Sequence, residues 1–297
     1  MEINEFAQKV RSAVEKELGE KYSVELKEVY KNNGVLLHGL LISSNACNVA
    51  PTIYLEHFWR AYEEGMTFAE VLKRLLETYG RDVPAKGIDM EFFRDFDKVR
   101  DRICYRLVGQ AGNRQLLDKI PHVEFLDMAV CFFYAYSGET LGEGSILIHN
   151  SHMEMWNTGT EELMRIAGHN TPRLFPWQCS TMEEVLREVT GGEYSEEFLA
   201  GEVPMKILSN RQRTHGAGCL IYQGVLEQLA QECNADLYIL PSSIHEVILL
   251  AVSGREAPDE LKSMILQVNR TQVAPEEVLS DSLYRYDRRK KAVEIIF

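Results

Sequence analysis

Between Ile207 and Leu250 the chain reads ILSNRQRTHGAGCLIYQGVLEQLAQECNADLYILPSSIHEVILL: two apolar runs flank a loop carrying Asn210, Arg211, Arg213, Thr214 and His215, followed by Gly216 and Gly218. Two guanidiniums and an imidazole on one loop are the donors that recognise a carboxylate or phosphate. Glycines at a helix start would let backbone N–H groups approach the same anion. A second turn, Pro241-Ser242-Ser243, leads into His245 and Glu246. If the two turns meet at one sheet end, Asn210, Arg211, Arg213 and His215 converge with Ser243, His245 and Glu246 around a small anionic ligand. The plainer alternative is a solvated loop whose glycines serve positive φ. On sequence grounds it outweighs the binding reading, because most polar loops are only surface.

Two other constellations invite chemistry. Ser243 and His245 are two apart on an expected strand, where their side chains stand parallel, whereas a nucleophilic serine sits on a sharp turn and receives its base from elsewhere. A turn whose hydroxyl caps the backbone is the stronger expectation. His149, His152 and Glu154, with His169 further on, suggest zinc, but His149 and His152 straddle a change of element rather than sharing a helix face at i, i+4. No metal site is expected. The chain contains no G-x-x-x-x-G-K-[ST], G-x-G-x-x-G or G-x-S-x-G, so nothing in it points to a nucleotide or any other cofactor, and no catalytic residue can be named.

Composition narrows the partners. Lys and Arg number 32 against 45 Asp and Glu, a formal charge of −13, which repels phosphate backbones and disfavours nucleic acid. The one dense basic run, Arg288 to Lys291, lies between two strand-like segments and reads as a hairpin tip. Six cysteines are dispersed without a C-x-x-C pair, as expected for buried thiols in a reducing compartment. No apolar run approaches the roughly 20 residues of a membrane span. A cytoplasmic protein that does not bind membranes is expected.

The positioning elements follow from periodicity. Ile3, Phe6, Ala7, Val10, Ala13, Val14 and Leu18 predict an amphipathic helix ended by Gly19. Alternation from Tyr22, a turn at Asn32-Asn33-Gly34 and the run VLLHGLLI predict a hairpin. TIYLEHFWRAYEEG predicts a helix, and Thr67 with Glu70 caps the next one. A third helical stretch is expected over Glu91 to Leu107, then a connection near 109–121. HVEFLDMAVCFFYAYSG reads as one buried strand with GSILIHN beside it, and TEELMRIAGHNTPRLFP as a helix closed before Pro172. From Met205 come strand, loop, helix, two strands, a helix and a last hairpin. The fold class is α+β, mostly antiparallel sheet built from hairpins with packed amphipathic helices. Residues 1–112 and 113–297 are the expected subdomains, unless the chain is one continuous domain.

The phrases NVAPTIYLEHF, HNTPRLFP, ILSNRQRTHGAGCLIY, LYILPSSIHEVILL, VNRTQV and EVLSDSLYRYD, in this order, resemble a bacterial family known as domain of unknown function 5688. The chain departs from it at Gly109, where an asparagine is expected. The resemblance implies a cytosolic α+β module and assigns no activity or cofactor. Its phrases contain the polar residues Asn170, Thr171, Arg173, Asn210, Ser242, Ser243, His245 and Glu246, read as candidates for one shared site. The leading functional expectation is a non-catalytic module that binds an unidentified protein or a ligand. The alternative is an enzyme or binder acting on a small anionic ligand through the Asn210–His215 loop and the Ser242–Glu246 turn.

Overall fold

The structure, a computed structural model, describes residues 1–44, 50–82, 91–138, 142–190, 205–241, 243–254 and 257–297. Contacts divide it into two compact units, Met1–Phe92 with Tyr136–Gly144, and Phe93–Ala135 with Ser145–Phe297. In the first, α1 (Ile3–Leu18) buries Phe6, Ala7, Val10 and Val14 along one stripe and stops at Gly19, whose φ of 74° suits glycine. Strands β1 (Tyr22–Tyr30) and β2 (Leu36–Ser44) pair antiparallel around the Asn32–Gly34 turn.

The run expected to begin a helix instead starts with β3 (Thr52–Tyr54), paired to β2, and α2 occupies only Glu56–Glu63. Thr52 and Ile53 are β-branched, and glycine at position 39 makes room for them: a Cβ there would come within 2.6 Å of Thr52 Cγ2. Helix α3 (Phe68–Asp82) opens on the expected capping box, Thr67 N–H to Glu70 Oε2 at 3.0 Å and Glu70 N–H to Thr67 Oγ1 at 3.3 Å. This unit's core joins the α1 stripe to Leu40, Ile42, Ile53, Leu55, Phe58, Val71 and Leu75.

The second unit corrects the helix expected over Glu91 to Leu107. Only single turns form, including α4 (Phe96–Val99), and Ile103–Gly109 is strand β4. Seven residues of β4 pair with β6 (Met128–Gly138), and the strand is buried along most of its length. Non-local pairing of a β-branched and aromatic run overrides its helical spacing. The 109–121 connection contains α5 (Arg114–Leu117) and lies inside this unit, leading from β4 to β5 (His122–Phe125). The stretch expected as one strand is thus the β5–β6 hairpin, broken at Leu126 (φ 58°) and Asp127. Strand β7 (Gly142–Leu147) pairs with β6.

Helix α6 (Asn150–Trp156) was not expected, and α7 (Thr160–Leu174) contains Pro172 rather than ending before it. Proline is tolerated in that final turn because the helix ends within two residues, so few carbonyl acceptors go unmatched. The residues around Pro172 serve the neighbouring sheet, because β4 is an edge strand and edge groups need partners. Thr171 Oγ1 accepts from Tyr105 N–H at 3.0 Å, and Asn170 Nδ2 donates to the carbonyls of Ile103 (3.0 Å) and Arg100 (2.8 Å). Arg173 donates to the Asp101 carbonyl at 2.7 Å.

A six-stranded sheet follows, built from β8 (Trp177–Thr181), β9 (Met205–Asn210), β10 (Leu237–Leu240), β11 (Val247–Ala251), β12 (Tyr284–Asp287) and β13 (Ala292–Ile295), in the order β13-β12-β10-β11-β9-β8. Helices α8 (Met182–Thr190), α9 (Val225–Glu232) and α10 (Pro258–Thr271) connect it. Helices with three antiparallel sheets make the fold α+β. The basic run is the β12–β13 turn, where Lys290 meets Glu294 at 3.0 Å and Lys291 meets Glu227 at 2.6 Å. No helix among the described residues is long and apolar enough to cross a membrane.

One carboxylate ties the β5–β6 turn to the C-terminal segment. Asp127 accepts from Ser280 Oγ at 2.7 Å, from Ser282 Oγ at 2.9 Å and from the hydroxyl of Tyr284, a side chain with no exposed surface. Burial, then the Asp127 bond, keeps that phenol well above its ordinary range. Asp127→Ala orphans three hydroxyls at once and is expected to lower the unfolding free energy by about 2–4 kcal/mol, against about 1 kcal/mol for Tyr284→Phe, in urea denaturation. Equal losses would show that the carboxylate does not hold the segment.

Candidate functional site

The loop after β9 and the turn before β11 meet inside the second unit. Asn210, itself buried, braces the loop: its side chain donates to the Thr214 carbonyl at 2.8 Å and accepts from Thr214 N–H at 3.2 Å. Left-handed φ at Arg213 (51°) and His215 (54°) folds the loop back. Three bonds then join the segments: Ser209 Oγ to the His245 carbonyl at 2.7 Å, His215 N–H to His245 Nδ1 at 3.2 Å, and Ala217 N–H to the Ile244 carbonyl at 3.2 Å. The two imidazoles stack with centroids 5.7 Å apart and an interplanar angle of 14°.

The sequence candidates divide accordingly. His215 and His245 come together. Ser243 Oγ accepts from His245 N–H at 3.0 Å, the turn-capping role, and Ser243 N–H donates to the Glu246 carbonyl. Ser242 lies outside the described residues. Arg211 and Arg213 point away: both are exposed, and Arg213 pairs with Glu188. The cation that does reach His215 is Arg106, on β4, with Nη1 3.3 Å from His215 Nε2. Sequence reasoning misses it because its segment reads as helix. The available signal is a lone arginine inside the apolar run ICYRLV.

Protonation follows from donor counting. A guanidinium has no acceptor, so His215 Nε2 accepts and Nδ1 carries the proton in the neutral ring. Burial, then the Arg106 charge, then His245, pushes the His215 pKa down to about 3. His245 Nδ1 accepts from an amide, which leaves its proton on Nε2, 3.6 Å from Glu277 Oε1. Neither basic nitrogen has a lone pair available to a substrate. Thiol chemistry is equally quiet, since burial pushes Cys104, Cys131 and Cys219 up to about 12. Two buried atoms of the cluster lack any partner: His215 Nδ1 and Arg106 Nε, both donors.

The histidines read for zinc serve a helix start. His149 precedes α6, His152 Nδ1 accepts from His149 N–H at 3.1 Å, and His169 is exposed on α7. Among the described residues, no group of three His, Cys, Asp or Glu is placed to hold a metal ion.

The fold and cluster define an antiparallel α+β unit with a half-buried arginine–histidine pair where strand β4 meets the loop after β9. The chain belongs to a family of unknown function (DUF5688), whose model matches residues 3–288. No curated protein and no solved structure matches it.

Proposed function

We propose that the second unit is a non-catalytic binding module for a small ligand that supplies hydrogen-bond acceptors to Arg106 and His215. One observation carries the reading: two donors of one hydrogen-bonded pair are buried without acceptors, while the surrounding loop polar groups are paired. An unpaired buried donor costs about 1–3 kcal/mol, so such a pair is either a stored cost or an incomplete complex. Binding is favoured over catalysis because both basic imidazole nitrogens are engaged. A protein-docking surface has less support: among the described residues the large exposed apolar side chains, such as Tyr30, Leu126, Met155 and Met264, are scattered over separate elements. The cytoplasm is the proposed location, since the described cysteines are all free thiols.

A thermal-unfolding screen against small metabolites tests this, with the His215 ring resonances followed by NMR. A ligand at 100 times its dissociation constant is expected to stabilise by about 2.7 kcal/mol and to move the His215 Nδ1–H signal. A library that moves neither would mean that the two donors are met by ordered water, and the reading fails.

A further inference from the structure

We infer that the ligand group is a carboxylate monoanion, held side-on by the Nε–Nη2 edge of Arg106, on the far side of the guanidinium from His215. The inference rests on the binding reading above and adds an anchor and a charge to it.

The geometry of the guanidinium sets the first part. His215 occupies Nη1, while Nε is buried and unpartnered. Nε and Nη2 point their hydrogens along the same edge, a planar fork that matches two oxygens of one carboxylate or phosphate. Among the described residues no hydrogen bond reaches this edge, and no Asp or Glu pairs with Arg106. Arg106 rises from an apolar strand face. Cys131 stands directly opposite it, and the pairs Cys104–Phe133 and Val108–Ala129 lie on either side, all five buried. A guanidinium in such surroundings demands a counter-charge, because the low-dielectric face stabilises it far less than water does.

Charge counting sets the second part. The immediate group holds one fixed positive charge, Arg106, beside an imidazole that is neutral because its Nε2 accepts from the guanidinium. Beyond it, His245 Nε2 lies 3.6 Å from Glu277 Oε1. A monoanion balances Arg106. A phosphate dianion would leave an excess negative charge against an apolar strand face, so planar carboxylates are preferred to phosphate.

The test uses the full chain, with the Arg106 Nε–Hε and His215 ring signals followed by NMR during titration with acetate, acetamide and inorganic phosphate. Acetate is expected to move the Arg106 Nε–Hε signal saturably, with a smaller shift at His215 relayed through Arg106 Nη1, and to bind about 10-fold more tightly than phosphate, because it alone is a planar monoanion. Acetamide, the neutral isostere, should leave them unmoved. Arg106→Met, an apolar replacement of similar length, should stay folded and bind acetate about 100-fold more weakly, while Arg106→Lys keeps the charge without the fork and loses about 10-fold. Acetamide binding as well as acetate, phosphate binding more tightly, unchanged acetate affinity in Arg106→Met, or no response to acetate would each overturn the carboxylate assignment. If acetate is silent while the metabolite screen yields another ligand, the binding reading survives; silence in both sinks it too.

Discussion

Gly216→Ala is expected to destabilise the protein by about 3 kcal/mol or more, near the upper end for a single added methyl, and to separate the two segments that carry the site. A Cβ at this position would overlap Ser209 Oγ and the His245 carbonyl oxygen and approach the Asn210 backbone nitrogen to 2.7 Å. Two of these obstacles are backbone atoms, the His245 carbonyl held by Ser209 Oγ and the Asn210 nitrogen at the end of β9, so no rotamer change relieves the clash. Gly218→Ala is the control: its Cβ first meets a Tyr105 ring carbon at 3.4 Å, an ordinary contact, and should cost less than about 1 kcal/mol. Urea denaturation of both variants, with the His215 and His245 ring signals, decides this. Near-equal stability would mean that the loop and turn are not clamped together.

Acid should remove stability through His215. Its folded pKa is pushed down to about 3 from 6.5, chiefly by burial. Between these values the unfolded chain takes up a proton that the folded chain refuses. This contribution to stability is therefore complete above pH 6.5 and falls as pH drops through the window, at about 1.4 kcal/mol per unit for one proton. From about pH 6.5 to about pH 4.5 the expected loss is roughly 2.5 kcal/mol. His215→Gln, neutral at every pH, should remove that slope while the carboxylates' own acid response persists in both proteins. The quantity to measure is the difference between the two stability curves across this range. Parallel curves would show that His215 is solvated enough to titrate normally in the fold.

Much of the scaffold was legible because its information is local. The α1 stripe and its glycine stop, the Thr67–Glu70 box, and the strands and helix from Leu237 to Thr271 each depend on residues a few positions apart, and the structure forms them where the spacing predicts. The meeting of His215 with His245 could be anticipated for a related reason. Their segments belong to strands that are neighbours in the sheet, β9 and β11, so turns at one end of it come together.

The rest is decided by partners distant in sequence. Strand β4 exists because β6 pairs with it, and its open edge is sealed by Thr171, 66 residues from Tyr105. Helical spacing in its sequence carries no trace of either. Asp127 finds its hydroxyl partners Ser280, Ser282 and Tyr284 more than 150 positions away, a pairing that no local spacing encodes. The loop arginines chosen from sequence, Arg211 and Arg213, had the right chemistry but face solvent. Arg106, 109 residues from His215, is brought to it by the fold. By itself the sequence determined the α+β class, the capped helices and the loop that holds His215. Only the tertiary structure decided which cation lies beside that imidazole, because burial and charge proximity are properties of packed surfaces rather than of spacing along the chain.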